Sequence, residues 1–193
     1  MPYDYTDAPP AQFELIPHGT VATAVLHIRA GNVGEDGMLT RSKDGGCEML
    51  YCEFTIADTS YKGRKFWEYW VLDGTTPGHA TSADINRGTL KAILDSALGL
   101  KPDDLSPQAR AARTVSLKQF EGMTFIAKIG IEKGDAKKDG SGNWPDKNIL
   151  MGVITPDRKE WHLVEQPPPF NGGGAPPTPP DSAPPVARPG WAS

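Results

Sequence analysis

The chain has 193 residues, with 20 Lys and Arg against 24 Asp and Glu and a formal charge of −4. That length suits one domain able to bury its own core, and that charge excludes a surface that attracts polyanions all over, so nucleic-acid binding would need a local basic stripe. Only two cysteines, Cys47 and Cys52, are present, and neither a charged-then-apolar leader nor an apolar run near ~18 residues is found, so the expectation is a cytoplasmic chain with no membrane insertion.

In chain order, Gly19 to Ala30 (GTVATAVLHIRA) and Cys47 to Ala57 (CEMLYCEFTIA) are rich in β-branched and aromatic residues and end at glycine or aspartate clusters. They read as two long strands. In the second, Leu50, Cys52, Phe54 and Ile56 alternate with Met49, Tyr51, Glu53 and Thr55, which makes the even positions the core side. Cys47 and Cys52, five apart, are expected on opposite faces and as free thiols. Arg64 to Leu72 predicts a third strand of mixed alternation, with Phe66, Glu68, Trp70 and Leu72 on one face and Lys65, Trp67, Tyr69 and Val71 on the other. Assigning the even set to the core leaves Glu68 near a barrel rim and turns Lys65, Trp67 and Tyr69 outward beside Tyr51.

A helix follows, because Leu90, Ile93, Leu94, Ala97 and Leu98 form an i, i+3, i+4, i+7, i+8 stripe. Ser82 or Asp84 is the expected cap at its start, Gly99 and Pro102 its stop, and a short helical turn follows Ser106. Gly122 to Lys133 and Lys147 to Thr155 predict the fourth and fifth strands. From Gln166 to Ser193, ten of 28 residues are proline and four glycine, a composition that cannot offset its own ordering entropy. The expected organisation is therefore a folded unit over residues 1–165 and a disordered Pro-rich C-terminal tail over 166–193. The expected class is all-β: an OB-fold-like five-stranded β-barrel with one helix inserted between the third and fourth strands, a Greek-key form that holds oligonucleotides on its strand 2 and 3 face and in two flanking loops. A plain sandwich or a meander packed by one helix would give much the same pattern.

The stretch Tyr61 to Gly74 (YKGRKFWEYWVLDG) interleaves Lys62, Arg64 and Lys65 with four aromatic residues. An outward row of cations and rings is what single-stranded nucleic acid needs, with cations meeting phosphates and rings stacking unpaired bases at ~1–3 kcal/mol each. The competing reading packs Trp67 and Tyr69 under the helix or a loop. Both long loops of the expected barrel carry basic residues: Arg41 and Lys43 between the first two strands, and Lys137 and Lys138 beside a candidate stacking lid, Trp144, between the last two. Acidic neighbours at Glu35, Asp36, Asp44, Asp135 and Asp139 fit an ordinary solvated hairpin equally well. The candidate nucleic-acid set is Arg41, Lys43, Tyr51, Arg64, Lys65, Trp67, Tyr69, Lys128, Lys137, Lys138 and Trp144.

Four elements occur together in order: YDYTDA (Tyr3 to Ala8) with FELIPHG (Phe13 to Gly19), YKGRKFW (Tyr61 to Trp67), NRGTL (Asn86 to Leu90) and PDKN (Pro145 to Asn148). Over roughly residues 3–155 the chain resembles a phage-encoded family regarded as single-stranded-DNA-binding-like and found beside recombination genes. The resemblance implies an OB-like core and a role in phage DNA replication or recombination in the host cytoplasm. The tail departs from the acidic, apolar-tipped tails of many single-strand binders, having one Asp and ending PGWAS; it reads as a plain spacer, with Trp191 among prolines as the alternative, a residue docking in a partner's groove.

No catalytic pattern stands beside these. The histidines at 18, 27, 79 and 162 form no i, i+4 pair, and Walker, G-x-S-x-G and H-E-x-x-H motifs are absent from the sequence. The expectation is a non-enzyme with no cofactor or metal, whose partner is single-stranded DNA. Strand-edge pairing between copies, or the tail, would offer a route to a homo-oligomer. Two rivals remain: an OB-like adaptor that holds a phage recombinase or replication protein with weak or no DNA binding, and a small nuclease.

Overall fold

Alternating apolar residues along each strand-forming stretch have one low-energy outcome, a sheet with one buried face. A computed structural model describes residues 14–163. The expected tail with Trp191 and the opening motif at Tyr3 to Ala8, with Phe13, lie outside the described residues. The strands are β1 (Thr20–Arg29), β2 (Leu39–Arg41), β3 (Cys47–Ile56), β4 (Lys65–Gly74), β5 (Met123–Glu132) and β6 (Lys147–Ile154). All pairings are antiparallel. β4 lines one edge of β3, while β1 and the short β2 share the other; β5 then joins β1, and β6 joins β5. The result is a mostly β, six-stranded antiparallel sheet with one long helix, consistent with a small barrel-like fold.

Five strands match those expected, and β2 is additional. It is too short to show an alternation and exists through pairing of Leu39 with Leu50 and Arg41 with Glu48. Gly31 permits it: a Cβ there would lie 2.4 Å from the Leu39 carbonyl oxygen, so only glycine lets the chain leaving β1 pass so close.

The core is built from Ala22, Ala24, Leu26 and Ile28 of β1, Leu50, Cys52, Phe54 and Ile56 of β3, Phe66, Trp70 and Leu72 of β4, and Phe125, Ala127 and Ile129 of β5. Phe54 is its aromatic centre, with ring centroids 4.9 Å from Phe66, 5.5 Å from Trp70 and 6.2 Å from Phe125. The even face of the third expected strand is thus the core face. Cys47 is buried like Cys52, but only Cys52 belongs to the core cluster, and the pairing of β3 with β4 shifts register beside Cys47, between Glu48 and Met49. Both cysteines are free.

Helix α1 (Pro77–Leu98) begins before Ser82 and Asp84. Thr76 is the cap, its hydroxyl accepting the His79 N–H at 3.2 Å, with Pro77 in the first turn where its missing N–H costs nothing. Gly99, at φ 66°, ends the helix as expected. The buried stripe Leu90, Ile93, Leu94 and Ala97 packs α1 against β4, β5 and β6. Asn86 and Arg87 of the same helix donate to the Val71 and Leu72 carbonyls, which ties α1 to the end of β4. Helix α2 (Pro107–Ala112) follows Ser106, which caps it. Fully buried Asp95 holds the connection between the helices, paired with Arg113 at 2.6 Å and Lys91 at 2.8 Å. Asn148 of the PDKN element fastens the segment before β1 through two hydrogen bonds to the backbone of Ile16.

No ladder joins β4 to β6 among the described residues. Glu68 bridges them instead. Its Oε1 accepts the Leu150 backbone N–H, and its Oε2 accepts the Trp70 indole N–H at 2.7 Å. Glu68→Leu leaves both half-buried donors unpartnered and is expected to cost about 2–4 kcal/mol in urea unfolding, with faster hydrogen exchange at the Leu150 amide. Unchanged stability and exchange would contradict this role.

Candidate nucleic-acid interface

With the even positions of β3 and β4 in the core, their odd positions face out, and the register sets these in rows with β1. Arg29, Tyr51 and Tyr69 form one row, His27, Glu53 and Trp67 the next, and Val25, Thr55 and Lys65 the third. Trp67 is 47% and Tyr69 60% exposed. In the first row the Arg29 guanidinium lies 4.9 Å from the Tyr51 ring centroid, and Tyr51 stacks on Tyr69 at 4.6 Å with an interplanar angle of 10°. Tyr51 is therefore enclosed between a cation and a ring, and Tyr69 ends the stack with an accessible face. A shallow groove of about 160 Å³ borders the stack, lined by Arg29, Ala30, Gly31, Thr40, Tyr51 and Tyr69.

The second and third rows carry opposing charge. Glu53 Oε1 lies 2.5 Å from the Lys65 ammonium, and its Oε2 accepts the Trp67 indole N–H at 2.9 Å. The Lys65 hydrogen bond, then that of Trp67, holds the Glu53 carboxyl below the usual carboxylate range. On its β1 side His27 is 2.9 Å from Glu121. On the inner face, burial pushes the Cys52 thiol up and the Glu68 carboxylate adds to the effect, which disfavours its thiolate form.

The structure gathers Tyr51, Lys65, Trp67 and Tyr69 on one face, with Arg64 in the turn leading into β4, its guanidinium 5.7 Å from the Tyr61 ring. Arg41 lies on β2, paired with Glu48 at 2.8 Å. Lys43 is exposed nearby and makes no ion pair among the described residues. The other candidates sit elsewhere. Lys128, half-buried, lies opposite Val21, eight residues along β1 from Arg29 or roughly 26 Å of strand. Lys137, Lys138 and Trp144 belong to an arm between β5 and β6, closed by the Ala136 to Asn143 bridge. Lys137 stands 5.3 Å over the exposed Trp144 ring. The arm leaves β5 beyond the Ile129 to Thr20 pair, at the opposite end of β1 from Arg29. Gly134 makes its base possible, since a Cβ there would overlap the Trp144 carbonyl at 1.7 Å.

Arg29 is the cation of this outer face that the sequence reading passed over. Its signal was available, because Arg29 shares outward parity with Val25 and His27 on an alternating strand. Among the described residues, no three His, Cys, Asp or Glu side chains converge as metal ligands, and no helix is long and apolar enough to cross a membrane. No family model matches the chain, and no curated protein matches it.

The two tryptophans of β4 differ sharply in consequence. Trp70→Ala empties the core beside Phe54 and is expected to cost about 3–5 kcal/mol, whereas Trp67→Ala should change stability by under about 1 kcal/mol. Urea midpoints of the two variants check this, and a Trp67→Ala loss as large as that of Trp70→Ala would reverse the face assignment.

Proposed function

We propose that the chain is a non-enzymatic binder of single-stranded nucleic acid, with the β1, β3 and β4 outer face as its contact surface. The observation that carries this reading is the exposed Tyr69 ring at the end of the Arg29, Tyr51 and Tyr69 stack, beside exposed Trp67. A free base can extend that stack on Tyr69, with Arg29 and Lys65 on the same face and Arg64, Arg41 and Lys43 in the turn, strand and loop beside it as phosphate partners. The strand order supports an OB-like assignment. The four long strands other than β6 pair as β4, β3, β1 and β5; β6 follows β5, and β4 and β6 are held side by side by Glu68 with the helix inserted after β4. In that assignment β3 and β4 are the second and third barrel strands, where OB-folds bind oligonucleotides. The motif resemblance supports DNA, and a setting in phage replication or recombination.

A second reading, the adaptor that holds a recombination or replication protein, is favoured by the two pairs Lys65 with Glu53 and Arg41 with Glu48, which offset cations the first reading needs. Titrating the chain with oligo-dT at two salt concentrations while following tryptophan emission separates them. Quenching with an affinity that falls steeply with salt is expected, and Tyr69→Ala should weaken binding by about 1–3 kcal/mol, roughly five- to 150-fold. Absence of quenching at low salt favours the adaptor, and metal-dependent degradation of the strand would indicate a nuclease.

A further inference from the structure

Glu53 occupies the position between the two β4 side chains that a bound strand would use. Its oxygens take the Lys65 ammonium at 2.5 Å and the Trp67 indole N–H at 2.9 Å. Across the β1 pairing it faces His27, which is itself bonded to Glu121. A carboxylate held this way offers a cation and a neutral N–H the same two-oxygen acceptor that a phosphodiester offers with its non-bridging oxygens. The group lies one row from the Tyr69 stack, about 6.6 Å along the strand.

We infer that Glu53 is an internal stand-in for a backbone phosphate: it occupies Lys65 and Trp67 in the unbound chain, and single-stranded nucleic acid binds by taking both donors from it. This rests on the proposed reading of the β3 and β4 face. The exchange is accessible because an exposed ion pair of this kind is weak and screened by solvent and salt. It also leaves a like charge beside the incoming phosphate, so Glu53 lowers the affinity and biases the face toward ligands that supply strong, repeated acceptors. Within the three rows, Arg29, stacked on Tyr51 with no carboxylate partner among the described residues, is a cation available without any exchange.

The test is an oligo-dT titration of the full chain over a salt series, following tryptophan emission, for wild type, Glu53→Gln, Lys65→Met and the double variant. Glu53→Gln is expected to bind about three- to tenfold more tightly. Its salt slope should steepen by about 0.7, the value for one more cation engaged on a single strand. The gain should vanish in the Lys65→Met background. Thermal melts confirm that each variant is folded, and Glu53→Ser repeats the comparison without an amide that could hold the indole. Wild-type binding with no gain in folded Glu53→Gln and Glu53→Ser, or a gain that survives Lys65→Met, overturns the inference and leaves the reading of the face intact. Absence of binding by wild type and every variant at the lowest salt removes the reading, and the inference with it.

Discussion

The seam between β4 and β6 is the constraint on which the exterior depends. Sheet pairing runs from β4 through β3, β1 and β5 to β6 and does not itself close the path. A single carboxylate, Glu68, spans the gap by accepting a backbone N–H from β6 and an indole N–H from its own strand. Helix α1 reinforces the same place, packing on both sides of the gap and donating from Asn86 and Arg87 to β4 carbonyls. An inward acid on a strand is a poor core residue, but here each of its oxygens satisfies a donor that would otherwise be stranded. β4 is fixed from its inner side, and among the described residues no element covers Trp67 and Tyr69 on its outer side. Trp67 and Tyr69 stand in solvent as a result of how Glu68 and Trp70 are held.

That exterior is not a simple basic stripe. Within three cross-strand rows it holds a guanidinium stacked on phenol rings, an indole, an ammonium and a carboxylate. On a chain of net charge −4, long-range attraction for a polyanion is weak, so the proposed binding would depend on short-range stacking and on cations placed next to rings. The Arg29, Tyr51 and Tyr69 stack supplies both in one unit. Tyr51 is enclosed within it, between Arg29 and Tyr69, and in the proposed reading the exposed Tyr69 ring is the one left for a base. The Trp144 arm, at the other end of β1, is a separate feature of the surface.

Much of this was legible from alternation alone. The inward set of Phe66, Trp70 and Leu72 and the outward set of Lys65, Trp67 and Tyr69 follow once the even positions of β3 are taken as core, and the α1 stripe and its Gly99 stop follow from helical spacing. What failed to show depends on partners distant in sequence or on geometry with no period. β2 is too short to alternate. The Thr76 cap lies upstream of the apolar stripe that marks the helix. Glu53 could be placed on the outer face, but its bonds to Lys65 and Trp67 required the register of β3 against β4, and Arg29 became part of the stack only through the register of β1.

The two tryptophans of β4 set a comparison that separates architecture from chemistry. Each donates its indole N–H to a carboxylate: Trp70 to Glu68 inside, and Trp67 to Glu53 outside. The difference lies in the other oxygen. In Glu68 it accepts a backbone N–H fixed by the strand, a donor that cannot turn to another acceptor without moving β6. In Glu53 it meets the end of a flexible lysine side chain in contact with water, a donor that keeps its charge and can rotate to any acceptor offered. Identical side-chain pairs on opposite faces of one strand therefore have opposite character. The inner one bridges β4 to β6 through a partner that is immovable, and the outer one suits the proposed exchange because its partner is not.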